Sequence, residues 1–115
     1  MTWNAYATVA EESGQETRIR ERELFNRGIE RLERIKDGAF QYVELIDALV
    51  YIRRLWTVFI EDLSQPDNAL PEQLRAHIIS IGLWVIREAD LIQEKRSGDV
   101  TQLIEINRLI RDALA

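Results

Sequence analysis

Apolar residues recur with a helical period along most of the chain. In successive segments they stand three and four residues apart, so they fall on one face of an α-helix. No segment shows the strict alternation of a half-buried strand. The connections between the periodic segments are short, which favours antiparallel neighbours. We therefore predict an all-α fold, a small antiparallel helical bundle of about five helices in a single domain, residues 1–115.

The N-terminal third is predicted to hold two helices separated by a break at Ser13 and Gly14. The first is short and carries large apolar residues at every third position: Trp3, Tyr6 and Val9. A helix this short is marginally stable alone. We expect residues 1–14 either to dock on the bundle of residues 15–115 or to cover an apolar groove that a partner takes over. The sequence leaves open whether this helix is docked or mobile. The second helix, residues 15–36, has an apolar stripe of Phe25, Ile29, Leu32 and Ile35.

Three more helices are predicted over residues 40–64, 71–97 and 99–114, and Trp84 is expected to pack in the core. The first of them has an apolar stripe of Leu45, Leu49, Ile52, Trp56, Phe59 and Leu63, and the last has one of Leu103, Ile106, Ile110 and Leu114. The segment 71–97 is apolar almost all round between Ile78 and Ile86, which is typical of a central, fully buried helix. Gly82 lies inside it and predicts close approach by the backbone of another helix. Gly98 is expected to end it in the position after the C-cap.

Charge and composition narrow the function classes. The chain has a net charge of −5, and 46% of its residues are hydrophobic, enough for one packed core. An acidic protein is repelled by nucleic acid unless a basic patch overrides the repulsion. The arginine-rich segment 16–37 is not such a patch, because it carries seven basic and six acidic side chains. Direct nucleic-acid binding is therefore not expected.

The chain also lacks the features of a membrane or secreted protein. It has no cysteine, which excludes disulfides and thiolate metal sites and suits a reducing compartment. No apolar stretch approaches the roughly 20 residues of a membrane span. Residues 1–10 contain no basic residue and do not form a signal peptide. We expect a cytoplasmic protein without membrane contact, whose oligomeric state the sequence leaves open.

No catalytic, cofactor or metal site is predicted. His77 is the only histidine, and no carboxylate stands at helical spacing on its face to form a metal pair. Neighbouring carboxylates such as Glu61 and Asp62 point to different sides of a helix and do not converge on a substrate. Phosphate-binding loops, nucleophile elbows and dinucleotide fingerprints are absent. The sequence favours a binding protein over an enzyme.

Three blocks of the sequence resemble the FlaF family of flagellar proteins. They are RRLWTVFIEDL at 53–63, NALPEQLRAHIISIGLWVIRE at 68–88 and LIEINRLIRDAL at 103–114, and AYATVAEE at 5–12 resembles the start of the family. Residues 13–50 are similar only as a charged helical pattern. The resemblance implies a helical, cytoplasmic factor that supports flagellin production and export. It is linked in the family with flagellin itself and with a second regulator, FlbT.

The resemblance implies a flagellin-binding chaperone or positive regulator, and no catalytic residues come with it. Two alternatives remain open: a regulator acting directly on flagellin messenger RNA, and an adaptor acting through FlbT. Unassembled flagellin exposes terminal amphipathic segments, and such helices bind in apolar grooves between bundle helices. The partner surface that we predict combines the first helix with the basic edge of the third: Trp3, Tyr6, Val9, Arg53, Arg54 and Trp56.

Overall fold

Four α-helices make up the fold. The computed structural model describes the backbone of residues 2–114 and the side chains of residues 14–114. The helices are α1 (Thr2–Asp37), α2 (Tyr42–Leu63), α3 (Glu72–Lys95) and α4 (Thr101–Ala113), and residues 2–114 contain no strand. The all-α class is confirmed. None of the four helices has the length and apolar character needed to cross a membrane, for the part of the chain that is described.

The predicted number of five helices is wrong, because α1 continues through Ser13 and Gly14 without a break. A glycine inside a helix costs about 1 kcal/mol relative to alanine. Extending a helix that already exists requires no new nucleation. A long and well-anchored helix can therefore absorb a Ser–Gly pair that would end a marginal one.

The helices form an up-down-up-down bundle in the ring order α1, α2, α3, α4. Short connections at 38–41, 64–71 and 96–100 make neighbours antiparallel. Packing is extensive between α2 and α3 and between α1 and α4, and sparse between α3 and α4. The ring is thus closed on three sides and open along one.

The predicted apolar stripes of α1 and α2 form the core. Three aromatic rings at its centre, those of Phe25, Trp56 and Phe59, meet edge to face with centroids 5.5–5.7 Å apart. The remaining stripe residues of these two helices are also buried: Ile29, Leu32, Ile35, Leu45, Leu49, Ile52 and Leu63. The 3.6-residue period therefore identified the buried faces of both helices correctly.

One buried polar residue, Asn107, links α4 to α2 across the bundle. Its Oδ1 accepts a hydrogen bond of 2.9 Å from Trp56 Nε1, and its Nδ2 donates to the Leu103 carbonyl at 2.7 Å. Both residues of the pair are fully buried. Because a buried N–H without a partner is costly, this pair fixes how far α4 stands along α2.

Gly82 serves close packing, though not of backbone against backbone as predicted. A Cβ at this position would lie 2.6 Å from the Trp56 ring and 2.8 Å from Ile60 Cδ1. The neighbours that need the space are thus side chains of α2. The glycine lets the central tryptophan lie flush against α3.

The C-terminus of α3 also differs from the prediction. The helix ends at Lys95, and Arg96, at φ 52°, takes the left-handed conformation expected of a glycine. Its guanidinium lies 4.6 Å from the centroid of the Tyr42 ring, and this contact offsets part of the strain. Gly98 instead makes room for Phe40, whose ring would lie 2.5 Å from an added Cβ.

The expectation that residues 71–97 form the most buried helix is wrong. The buried residues of α3 occupy one face, Ile78, Gly82, Val85, Ala89 and Ile92. Leu74, Leu83 and Trp84 remain 45%, 53% and 37% exposed. Because α3 carries apolar residues on all sides and only one face is buried, several of its apolar side chains lie on the surface.

Candidate partner-binding groove

The sparse contact between α3 and α4 leaves an open groove along this side of the bundle. Its volume is about 640 Å³, and six residues line it: Ile81, Trp84, Gln102, Glu105, Ile106 and Leu109. Four of them are apolar. We call this depression the α3–α4 groove.

The floor of the groove is anchored and its walls are exposed. Ile81 and Ile106 are partly buried and pack against the core. Trp84 on one side is 37% exposed and Leu109 on the other is 60% exposed. Large apolar side chains that converge on a concave surface mark binding sites for partner helices.

The α3 wall belongs to a longer stripe at regular helical spacing. Its members alternate three and four residues apart, and we call them the α3 stripe: Leu74, His77, Ile81, Trp84, Glu88 and Leu91. At about 1.5 Å per residue the stripe runs for roughly 26 Å. It extends beyond α4, which has 13 residues against the 24 of α3. Leu74 and His77 line a second open depression with Gln73, Ala76 and Ser80.

Two carboxylates lie at or next to the groove. Glu105 lies on its α4 side, and Glu88 continues the α3 stripe after Trp84. Neither side chain makes an ion pair or a hydrogen bond within residues 14–114. Lys95 stands at the far end, where α3 stops. The apolar side chains of the groove thus lie beside two negative charges that no ion pair within residues 14–114 neutralises.

The other edge of α4 is held to α1 by polar contacts. Arg108 Nη2 pairs with Glu33 Oε1. Arg111 Nη1 donates to Asn26 Oδ1 at 3.0 Å, and its Nε pairs with Asp112 at 3.0 Å. The contacts to Glu33 and Asn26 fix α4 on α1, whereas the Arg111–Asp112 pair lies within α4. The groove on the α3 side therefore opens beside a well-anchored helix.

The predicted partner residues are not brought together in this groove. Arg53 Nη1 lies 3.3 Å from Asp90 Oδ1 at the contact of α2 with α3. Arg54 is exposed on α2, and its contact with a partner stays a prediction. Trp56 is fully buried, so a partner docking on the folded bundle would not reach it. The side chains of Trp3, Tyr6 and Val9 lie outside the described residues.

A separate acidic spot lies where α1 passes the α2–α3 connection. Burial raises the pKa of Glu21, the nearby Asp62 carboxylate raises it further, and Arg18 lowers it. The three side chains line a depression of about 420 Å³ that also includes Asp67. The folded protein therefore disfavours the charged form of Glu21, so this residue makes the stability of the fold depend on pH.

Sequence reasoning missed the groove because it assigned its residues to core stripes. Trp84 was expected in the core, and Ile106 in the stripe of the last helix. One signal was available: a helix of a four-helix bundle has one buried face, and α3 carries apolar residues on more than one.

Comparison with known proteins identifies a family. The profile of a family described as flagellar protein FlaF matches residues 2–114, nearly the whole chain. No curated protein matches the chain, and no solved structure does.

Proposed function

Because the chain belongs to the FlaF family of flagellar proteins, we propose that it is a flagellar assembly factor that binds flagellin in the cytoplasm. In this role it acts as a secretion chaperone. It keeps flagellin subunits soluble and unassembled until export, and thereby promotes flagellin synthesis and export. It works by stoichiometric binding and not by catalysis.

The observation that supports this proposal is the α3–α4 groove. It is apolar and open, and its exposed Trp84 and Leu109 are large enough to anchor a partner. An unassembled flagellin with exposed amphipathic helices is the kind of partner that a helix-binding groove accepts. Covering those helices would prevent premature filament growth.

Electrostatics favour a protein partner over RNA. The net charge is −5, with 20 acidic against 15 basic side chains. A phosphate backbone would have to overcome this overall repulsion. Direct binding to flagellin messenger RNA and action through FlbT are the two alternatives that the following test separates from flagellin binding.

The test is co-expression with flagellin, affinity purification, and a mass measurement after nuclease treatment. We expect a complex of defined ratio that survives the nuclease. The control is flagellin co-expressed with the affinity tag alone. If both proteins are folded and soluble but do not associate, flagellin binding is excluded. FlbT and the flagellin leader RNA are then tested in the same format.

A further inference from the structure

We propose that the α3–α4 groove binds a single amphipathic helix of flagellin, with apolar residues alternately three and four positions apart and with lysine or arginine on its flanks. This inference rests on the proposed function. It specifies the binding site, the register and the charge of the bound segment.

The register follows from the α3 stripe. Its six positions alternate at intervals of three and four residues from Leu74 to Leu91. Four of these positions are apolar, and a partner helix with the same period can keep its apolar face against them over several turns: Leu74, Ile81, Trp84 and Leu91. The stripe covers 18 residues, counted from Leu74 to Leu91. The bound segment should therefore be a helix of roughly 18 residues, about 26 Å long.

The groove provides one anchor from each wall. Trp84 on α3 and Leu109 on α4 are the exposed members, and Ile81 and Ile106 form the floor between them. Aromatic side chains at the centre of an interface contribute most to binding energy. We expect the apolar face of the partner to be clamped between Trp84 and Leu109.

Two carboxylates determine where the partner should be basic. Glu105 lines the groove on α4, Glu88 follows Trp84 in the α3 stripe, and neither makes an ion pair within residues 14–114. Basic side chains beside the apolar face of the partner would pair with them. The same charges argue against a second copy of this chain in the groove, because it would bring identical carboxylates to the same seam.

The first experiment tests the site with apolar variants and purified monomeric flagellin. Leu109→Glu and Trp84→Ala should each weaken binding at least about ten-fold. The matched control is Leu83→Glu, which changes an exposed leucine (53%) that does not line the groove. All three positions are solvent-accessible, so circular dichroism and melting temperature should show a folded protein.

The second experiment tests the charge of the partner. Glu105→Lys and Glu88→Lys should weaken binding several-fold at low salt, and the difference should shrink as salt rises. Glu94→Lys, on exposed α3 surface outside the groove, is the control. Flagellin terminal peptides with the flanking lysines and arginines changed to glutamate should restore binding to the two groove variants.

The outcomes separate the two proposals. If wild-type protein does not bind flagellin, the proposed function fails and this inference fails with it. If wild type binds and Leu109→Glu and Trp84→Ala bind as well as Leu83→Glu, only the groove assignment is overturned. If wild type is a dimer that Leu109→Glu dissociates, the occupant is a second copy, and the flagellin assignment is overturned.

Discussion

Helix α4 has two neighbours in the bundle, and the two contacts differ in kind. Towards α1 it packs extensively and adds polar contacts from Arg108 and Arg111 to Glu33 and Asn26. Towards α3 it packs sparsely, and Trp84 and Leu109 remain exposed beside Glu88 and Glu105, which make no ion pair within residues 14–114. The first contact has the features of a stabilising interface. The second has the apolar residues of an interface without the neighbour to cover them.

The difference shows that apolar content alone does not indicate burial. The same short helix buries Ile104 and exposes Leu109. What separates them is whether a neighbouring helix stands opposite. A surface that retains this much exposed apolar area is costly for solubility unless a partner covers it.

The largest expected effect compares the two sides of α4 directly. Ile104→Ala should lower the free energy of unfolding by about 2–5 kcal/mol, because it removes buried methylene groups. Leu109→Ala should change it by no more than about 0.5 kcal/mol, since Leu109 is a surface residue. Urea unfolding of the two variants measures both values. Equal losses would show that the α3 side of α4 contributes as much stability as the α1 side.

The next effect concerns the anchor of α4 at the centre of the bundle. Asn107→Leu leaves the buried Trp56 N–H without an acceptor and should cost about 1–3 kcal/mol. Indole fluorescence during urea unfolding reports it. The matched control is Gln102→Leu, an exposed position on the same helix. An unchanged midpoint for Asn107→Leu would mean that α4 does not depend on this hydrogen bond.

A smaller effect is expected from the ion pair between α4 and α1. Both side chains of the Arg108–Glu33 pair are substantially exposed, so Glu33→Gln should cost less than about 1 kcal/mol. The loss should become smaller in high salt. Thermal unfolding at low and high salt measures it. A larger, salt-independent loss would show that this pair, and not apolar packing, holds α4 on α1.

The smallest effect lies outside both sides of α4 and tests the acidic spot of α1. The pKa of Glu21 is raised, so its protonated form is favoured in the folded state. Its contribution to stability is therefore present below the unfolded pKa of 4.5 and is lost as pH rises through the folded value. Glu21→Gln should melt higher than wild type at pH 7, and the difference should shrink below pH 4.5. A lower melting temperature at pH 7 would contradict this assignment.

The sequence by itself determined the fold class, the family and the core of two helices. The stripes of α1 and α2 were correct because residues three and four positions apart fall on one face of a helix, and that face of each helix is buried in the core. The family resemblance covered blocks that were spread along the chain, and the match to residues 2–114 agrees with it.

Only the tertiary structure decided the helix count, the role of Gly82 and the position of the groove. The predicted break at Ser13 and Gly14 is absent because a long helix tolerates residues of low helix propensity that would end a short one. The exposure of Trp84 and Leu109 depended on α4 being packed mainly on α1 and only sparsely on α3. Periodicity records which face of a helix is apolar. Whether another helix covers that face depends on the arrangement of the whole bundle.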